Sequence, residues 1–360
     1  MRGLRYPHAA RIAASGAGTL LIALMPAAVA QQTRPASVPQ ADTCTVDADG
    51  TAHITRVIPV PGTISPEAQK FISRGGPSGP EPTLAERRAH TDAFRIGSAA
   101  EARKLYPVDV ESKTIGGVQC DVITPPKIQS AGRVLINVHG GGFNSDSGSL
   151  VEGIPIASLA HTTVVSVYYR LAPEHPFPAA VDDTVAVYKE LLKTYKPEQM
   201  GLFGTSAGAI LTAEVAAALR RANLPLPAAL GIFSGTGDLS QPGDSQALYS
   251  VQGLGGILRP PSKGLHDTSY IGTTDPKDPV LSPLYADLRG FPPTLFVTST
   301  RDLLLSGTTI LHRAFLRAGV DAQLVVFEAL PHAFWYDYHL PETQEALDVM
   351  AKFFDAKLGE

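Results

Sequence analysis

Short apolar runs alternate with longer amphipathic segments along the chain from about residue 118 onwards. The predicted strands are 133–138, 163–168, 199–203, 228–233, 294–299 and 323–328. The predicted helices are 179–193, 207–221, 304–318 and 343–358. Strands that alternate with helices are typical of a parallel sheet covered on both faces. The pattern therefore predicts an α/β fold with a doubly wound, mostly parallel sheet.

Two further helices are predicted ahead of this alternating pattern. The first begins with Ser65 as its N-cap and Pro66 at its first position. The second begins at a capping box formed by Thr83 and Glu86, and a break is expected near Gly97. Two helices that precede a sheet are expected to cover it as a helical cap.

Changes in composition divide the chain into segments. Residues 31–60 are rich in Gln, Thr, Pro and Ala, and they are predicted to form an extended or poorly ordered lead-in. Residues 61–115 are predicted to be N-terminal cap helices, and residues 116–360 the main α/β domain. Within that domain, residues 236–275 are rich in Gly, Pro and Ser. We interpret them as an insertion that could complete the cap.

The first 30 residues have the features of a secretory signal peptide. Three arginines lie among the first eleven residues, residues 13–25 are apolar or small, and Ala28-Val29-Ala30 supplies the small residues that a signal peptidase accepts. The apolar segment is shorter than the roughly 20 residues that a transmembrane helix needs. We therefore expect cleavage near Gln31 and an exported protein, either periplasmic or secreted.

The charge balance and hydropathy narrow the choice of partners. The chain carries 30 Lys and Arg against 34 Asp and Glu, and cleavage of the three N-terminal arginines would leave 27 against 34, a net charge of −7. Because no basic block is present, nucleic acid is not an expected partner. No later apolar stretch reaches transmembrane length, so we expect no membrane span after signal cleavage.

The chain has two cysteines, Cys44 and Cys120. In an oxidising compartment they are expected to form one disulfide that ties the N-terminal extension to the main domain, with two unpaired thiols as the alternative. Two cysteines do not make a zinc site by themselves, and no neighbouring pair of histidines has ligand spacing. We therefore expect neither a metal nor another cofactor.

The segment Gly204-Thr205-Ser206-Ala207-Gly208 carries the strongest chemical signal. It matches the G-x-S-x-G pattern and lies between a predicted strand and a predicted helix. In such a nucleophile elbow a tight turn lifts the serine hydroxyl above the sheet, and small neighbours allow the strand and helix backbones to come close. The pattern indicates that Ser206 is a nucleophile.

A second glycine motif, His139-Gly140-Gly141-Gly142-Phe143, follows another predicted strand. A serine that attacks a carbonyl carbon needs hydrogen-bond donors for the oxyanion that forms. Glycine allows backbone N–H groups to reach a site without obstruction by side chains. The two motifs together indicate an acyl-transfer site.

With these motifs the chain resembles the hormone-sensitive-lipase family of esterases, in its bacterial branch with a GTSAG elbow. The residues that carry the resemblance are the HGGG motif at 139–142, the GTSAG motif at 204–208, the YRLAPEHPFPA segment at 169–179, and the approach from Ser282-Pro283 to Pro292-Pro293. The resemblance implies an α/β-hydrolase core under a cap built partly from N-terminal helices. It also implies carboxylesterase activity, with an oxyanion hole formed by the N–H groups of Gly140, Gly141 and Ala207.

The general base must follow the nucleophile, because triads in this fold have the chain order Ser, acid, His. The histidines after the elbow are His266, His312, His332 and His339. Of these, His332 alone follows a predicted strand closely, and its His-Ala-Phe context resembles the family's His-Gly-Phe. We therefore predict that His332 carries the proton.

Asp302 is the predicted acid. It follows the strand 294–299 directly, whereas Asp278 and Asp287 lie in a loop before that strand. A role as N-cap of the next helix is an alternative that is compatible with the first. The family often has Pro-Leu after its acid, whereas Leu303-Leu304 stands here.

These residues predict a carboxylic ester hydrolase that works through a Ser-His-Asp triad and an acyl-enzyme intermediate. The resemblance favours short- to medium-chain acyl esters as substrates and leaves the oligomeric state open, with a homodimer as one candidate because relatives often dimerise. Fold does not determine substrate, so a lactone hydrolase and an amidase on the same triad remain alternatives. A non-catalytic small-molecule binding protein is the third alternative.

Overall fold

The computed structural model describes residues 42–74, 82–128, 132–249 and 268–359. These residues belong to two compact units, divided between Pro59 and Val60. In the first unit, the strands β1 (Thr43–Val46) and β2 (Ala52–Thr55) form an antiparallel hairpin. The sequence predicts only an extended lead-in here. The hairpin forms because a Gly50 turn, with φ of 89°, joins two short runs of β-branched residues.

The second unit is built on an eight-stranded sheet within the described residues, with the order β10-β9-β8-β7-β5-β6-β4-β3. The strands are β3 (Asp109–Ile115), β4 (Val118–Thr124), β5 (Val134–Val138), β6 (Thr163–Val167), β7 (Met200–Thr205), β8 (Ala229–Phe233), β9 (Thr294–Ser299) and β10 (Ala322–Phe327). Strands β5 to β10 are parallel, whereas β4 pairs antiparallel with β3 and β6. The sheet is thus mostly parallel, as predicted.

The helices pack on both faces of this sheet. They are α1 (Pro66–Ile72), α2 (Leu84–Leu105), α3 (Gly153–Leu159), α4 (Ala179–Leu191), α5 (Ala207–Arg221), α6 (Asp244–Tyr249), α7 (Thr268–Ile271), α8 (Leu305–Arg317) and α9 (Pro341–Lys357). Single 3₁₀ turns lie at Pro197–Gln199, Pro283–Tyr285 and Phe334–Tyr336. None of the helices in the described part of the chain has the length and apolarity of a membrane span.

Alternation along the central strands separates two hydrophobic clusters. On β5, Val134, Ile136 and Val138 face the cluster that contains α4, α5 and α8, whereas Leu135 faces the cluster that contains α3 and α9. Successive side chains of a strand point to opposite faces, so a strand buried on both faces is apolar throughout. This is why the central strands stand out in the sequence as continuous apolar runs.

The structure of the second unit also differs from the sequence predictions. Helix α2 continues through Gly97 without a break, since its capping box is formed and its buried face includes Ala99 and Ala102. The segment predicted as cap helices, 61–115, ends in β3, which belongs to the sheet. Helix α3 was not predicted. Of the suggested insertion at 236–275, residues 250–267 lie outside the described residues.

The predicted disulfide is absent, because both cysteines are free thiols. Cys120 lies on β4 with its side chain buried in the hydrophobic cluster, and its Sγ contacts the carbonyl of Val118. Cys44 is exposed on β1. An apolar environment suits Cys120 as a small hydrophobic residue, and burial raises the pKa of its thiol to about 12.

The core packing gives a first prediction. Leu347 on α9 is 0% exposed and Leu316 on α8 is 50% exposed. Leu347→Ala is expected to lower the free energy of unfolding by about 2–5 kcal/mol, because it leaves a cavity. Leu316→Ala is expected to change it by less than about 0.5 kcal/mol. Urea unfolding followed by circular dichroism measures both, and equal losses would contradict the assignment of α9 to the core.

Candidate active site

Ser206 lies in a tight turn between β7 and α5. Its backbone has φ of 62° and ψ of −121°, and its N–H donates to the carbonyl of Phe233 at 2.9 Å. A Cβ on Gly204 or Gly208 would come within 2.1 Å or 1.9 Å of the carbonyl oxygen of Val138. The glycines of the G-x-S-x-G motif are therefore required by the close approach of the elbow to the end of β5.

The HGGG loop follows β5 and runs beside the elbow. Gly141 and Gly142 have φ of 117° and 63°, a region that favours glycine. A Cβ on Gly140 would lie 3.3 Å from the Cβ of Ser206, so the loop backbone is close to the predicted nucleophile. Ala207 begins α5, where backbone N–H groups lack partners within the helix. The structure thus brings all three predicted oxyanion residues to Ser206.

His332 and Asp302 are in direct contact. The His332 Nδ1 atom lies 2.8 Å from Asp302 Oδ1, and the two residues are 4% and 0% exposed. They follow β10 and β9, which are neighbours in the sheet. Ala333 has φ of 54°, a left-handed conformation in which the family's glycine would be less strained than this alanine.

Asp302 accepts further hydrogen bonds that sequence reasoning missed. Ser234 and Thr298 donate their hydroxyls to Oδ2, the latter at 2.8 Å, and the N–H of Leu304 donates to Oδ1 at 2.8 Å. Burial acts to raise the pKa of Asp302, but the charge and hydrogen bond of His332, with these donors, hold the pKa below its ordinary value. The N-cap of α8 is Leu304 and no side chain caps the helix, so the alternative role of Asp302 as its N-cap was wrong.

The competing candidates have other partners, although His339 also lines the cavity beside Ser206. Asp278 and Asp287 bind groups of their own loops, and His312 lies on α8 with its ring near a backbone carbonyl. His339 is exposed, and His266 lies outside the described residues. In the ranges that the structure describes, no three His, Cys, Asp or Glu side chains are grouped as metal ligands.

Ser206, Gly141 and His332 line one cavity of about 610 Å³. Helix α2 also lines it, with the side chains of Arg87, His90, Thr91, Phe94, Ser98 and Glu101. Phe71 and Arg74, at the end of α1, also line it. The two N-terminal helices thus contribute to the wall of the cavity that holds Ser206, where the sequence predicts a helical cap.

Two arginines join α2 to the loops around the HGGG motif. Arg88 donates to the carbonyl of Asn144 at 2.7 Å and pairs with Glu174 at 2.7 Å. Arg95 lies 3.4 Å from Asp146, which follows the glycine loop. Neither arginine was predicted, because the contacts span more than 50 residues and no local pattern reports them.

A buried carboxylate behind the elbow was also missed. Glu152 accepts from the Thr205 hydroxyl, and its Oε1 accepts from Asn137 Nδ2 at 2.6 Å. Burial raises the pKa of Glu152 from 4.5 to about 7, although the hydrogen bonds from Thr205, Asn137 and Tyr336 act in the opposite direction. The sequence signal for such a buried polar partner was the presence of Asn137 and Thr205 within the otherwise apolar strands β5 and β7.

This carboxylate makes the stability depend on pH. The folded protein holds the Glu152 proton more tightly than the unfolded chain, so this contribution is complete below pH 4.5 and is lost as the pH rises through about 7. The loss amounts to about 3 kcal/mol. In Glu152→Gln, the decline in Tm from pH 5 to 8 is expected to be smaller than in the wild type. Parallel Tm curves by differential scanning calorimetry would contradict this.

Known proteins share this architecture. A family model described as alpha/beta hydrolase fold matches residues 135–336. An acetyl-hydrolase of Streptomyces hygroscopicus is 34% identical over 254 residues, which cover 69% of this chain and 83% of that protein. An esterase of Acinetobacter venetianus is 29% identical over 271 residues, covering 69% and 84%.

Solved structures give the same result. The crystal structure of an esterase named E25 has a TM-score of 0.74 and 34% identity, covering 85% of this chain and 98% of that one. An esterase from the bacterial hormone-sensitive lipase family has a TM-score of 0.70 and 30% identity, covering 82% and 99%. This chain therefore belongs to the hormone-sensitive-lipase family of α/β-hydrolases, and it is a carboxylesterase.

Proposed function

We propose that this esterase works through Ser206, His332 and Asp302 and an acyl-enzyme intermediate. One observation carries the proposal: the buried contact between His332 and Asp302 borders the cavity whose wall includes Ser206. A serine hydroxyl is a weak nucleophile at neutral pH and needs a base beside it. Among the described residues, three histidines line this cavity: His90, His332 and His339. Of these, His332 contacts a fully buried carboxylate, that of Asp302.

The reaction has two halves. His332 Nε2 takes the Ser206 proton while Oγ bonds to the ester carbonyl carbon, and the resulting imidazolium then gives that proton to the departing alcohol. Water, deprotonated by the same nitrogen, attacks the acyl carbon, and the imidazolium then returns that proton to Ser206 Oγ as the acyl–Oγ bond breaks and the acid leaves. Throughout, Asp302 accepts from Nδ1–H, which selects the tautomer with a free Nε2 and stabilises the imidazolium.

The proposed oxyanion hole consists of the N–H groups of Gly140, Gly141 and Ala207. Support comes from the position of the glycine loop against Ser206 and from the location of Ala207 at the start of α5, where the helix dipole favours negative charge. These donors would bind the oxyanion more strongly than the ground-state carbonyl, which is the basis of their catalytic effect.

Short- to medium-chain acyl esters are the proposed substrates. The cavity of about 610 Å³ is of the size that holds small organic ligands, and Phe71, Phe94 and Phe334 supply apolar walls. The relative from Streptomyces is named an acetyl-hydrolase, and a similar solved esterase was soaked with p-nitrophenyl butyrate. Both names agree with a short acyl chain.

Export is a further part of the proposal. It is supported by the arginines, the apolar segment and the Ala28-Val29-Ala30 site at the start of the chain. N-terminal sequencing of protein recovered from the periplasm or medium should begin near Gln31. Recovery of the enzyme only from the cytoplasm, with its first 30 residues present, would contradict export.

The nucleophile is tested with p-nitrophenyl esters from acetate to palmitate. Ser206→Ala should lower kcat/KM by a factor of about 10⁴ or more while the far-UV circular dichroism is unchanged. Ser112→Ala removes a serine on the distant strand β3 that binds Asp121, and it should retain activity. Wild-type activity is expected to be highest on short chains.

Other outcomes of the same assay discriminate the alternatives. Full activity in pure Ser206→Ala would refute the mechanism. A folded wild type that hydrolyses matched lactones or amides, and no ester of the series, would replace the ester substrate while keeping the triad. Saturable binding with no hydrolysis of any class would favour a binding protein.

The acid is tested by Asp302→Asn, which keeps the side-chain shape. The Asn amide carries no negative charge, so it neither fixes the His332 tautomer with Nδ1–H nor stabilises the imidazolium as the carboxylate does. The value of kcat should therefore fall about 10⁴-fold. KM should change little, because Asp302 is buried behind His332 and does not line the cavity. Asp287→Asn, on an exposed loop, is the control, and equal kcat values for the two variants would contradict the assignment.

A further inference from the structure

A buried polar cluster behind the elbow has no part in the proposed chemistry. Its centre is Thr205, the residue before the nucleophile. The Thr205 hydroxyl donates to Glu152 Oε2 and accepts from Trp335 Nε1 at 3.1 Å. All three residues are buried. Thr205 therefore connects the elbow to a carboxylate on one side and to an indole on the other.

The indole belongs to the loop that carries His332. Trp335 and Tyr336 lie three and four residues after this histidine, in the 3₁₀ turn that follows it. The Tyr336 hydroxyl donates to Glu152 Oε2 at 3.4 Å, the same oxygen that binds Thr205. One carboxylate oxygen is thus within hydrogen-bond distance of both the elbow and the histidine loop.

Glu152 is itself held by the central strands. Its Oε1 accepts from Asn137 Nδ2 at 2.6 Å, and Asn137 Oδ1 accepts from the hydroxyl of Ser166 on β6 at 3.1 Å. The same hydroxyl is 2.5 Å from the carbonyl of Ser149. Because strand side chains alternate between faces, Asn137, Ser166 and Thr205 share the face on which α3 and α9 pack. The carboxylate is anchored to rigid elements on the side opposite Thr205.

We propose that Glu152 is a positioning residue that sets the distance between Ser206 and His332. It binds the Thr205 hydroxyl beside Ser206, and it reaches the loop that carries His332 both through its contact with Tyr336 and through the bond between Thr205 and Trp335. The proposal rests on the proposed roles of Ser206 and His332. Glu152 touches neither the substrate cavity nor the reacting atoms. It acts through the backbone positions of the two residues that do.

The donors of the cluster are arranged around a side chain with two acceptor oxygens. Asn137 Nδ2, the Thr205 hydroxyl and the Tyr336 hydroxyl all direct donors at it, and an ionised carboxylate accepts at both oxygens. A Gln side chain has the same shape but presents an NH₂ group to at least one of these donors. Ser206 has φ of 62°, a backbone conformation that depends on support from its surroundings, and a displacement of about 1 Å can cost a factor of about 10² in rate.

The test compares Glu152→Gln, Thr205→Val and Thr205→Ser, with Thr294→Val as the matched control. Thr294 is also a buried strand threonine whose hydroxyl binds a backbone carbonyl, at 2.8 Å, but it lies at the start of β9, away from the site. The readouts are kcat and KM with p-nitrophenyl acetate, the rate of Ser206 modification by a p-nitrophenyl phosphonate, and Tm.

Glu152→Gln and Thr205→Val are expected to lower kcat and the phosphonate rate by about 10- to 100-fold, with KM changed less than about threefold. Thr205→Ser keeps the hydroxyl and should stay within a few-fold of the wild type. Thr294→Val should have a lower Tm than the wild type and an unchanged kcat. The double variant of Glu152→Gln and Thr205→Val should lose about as much as one single variant, because both break the same link.

Wild-type kcat in both Glu152→Gln and Thr205→Val would overturn the proposal. A kcat loss in Thr294→Val as large as that in Thr205→Val would also overturn it, since stability alone would then explain the effect. If Glu152→Gln does not fold, the contrast between Thr205→Val and Thr205→Ser decides. Ser206→Ala shows whether the proposed triad or only the positioning role is wrong. If Ser206→Ala is inactive while Glu152→Gln and Thr205→Val keep wild-type activity, the positioning role fails and the triad stands.

Discussion

The close approach of two backbone segments is the constraint on which the rest of the site depends. The end of β5 and the turn between β7 and α5 come so near that neither Gly204 nor Gly208 has room for a Cβ against Val138. The two strands are neighbours in the sheet, although β6 lies between them in the chain. This is the point where the order of connections reverses, and such crevices at the carboxyl ends of strands are where α/β proteins bind ligands. The glycine loop lies beside Ser206 because it follows the end of β5, whose backbone is in close contact with the elbow.

Two buried carboxyl groups show how hydrogen-bond and charge partners determine the protonation state of a side chain. Asp302 and Glu152 are both buried, and burial acts to raise the pKa of each. Asp302 faces the imidazole of His332 and three other donors, so its pKa falls below the ordinary value and it is ionised at neutral pH. Glu152 has neutral donors only, so the effect of burial prevails and its pKa lies near 7. The first suits electrostatic support of a developing imidazolium; the second suits a structural link whose strength varies with pH.

Local signals explain why much of this arrangement could be predicted. The central strands are apolar throughout because both faces are buried, and the elbow and glycine loop are conspicuous because close backbones exclude side chains. The edge strand β3, mostly exposed, and the short helix α3 have no such signal. The roles of Ser234, Arg88 and Glu152 arise from contacts that join distant parts of the chain, which no spacing rule reports. The disulfide prediction was wrong for a related reason, because the number of cysteines gives no information on the burial of Cys120 in the hydrophobic cluster.

The identity of the nucleophile is the central claim, and covalent labelling tests it most directly. The wild-type enzyme should react with diethyl p-nitrophenyl phosphate to release one equivalent of p-nitrophenolate, and peptide mass spectrometry should place the single diethylphosphoryl group on Ser206. The same reagent should label His332→Ala far more slowly, since the hydroxyl then lacks its base. A phosphoryl group on any other residue, or equal labelling rates with and without His332, would contradict the account.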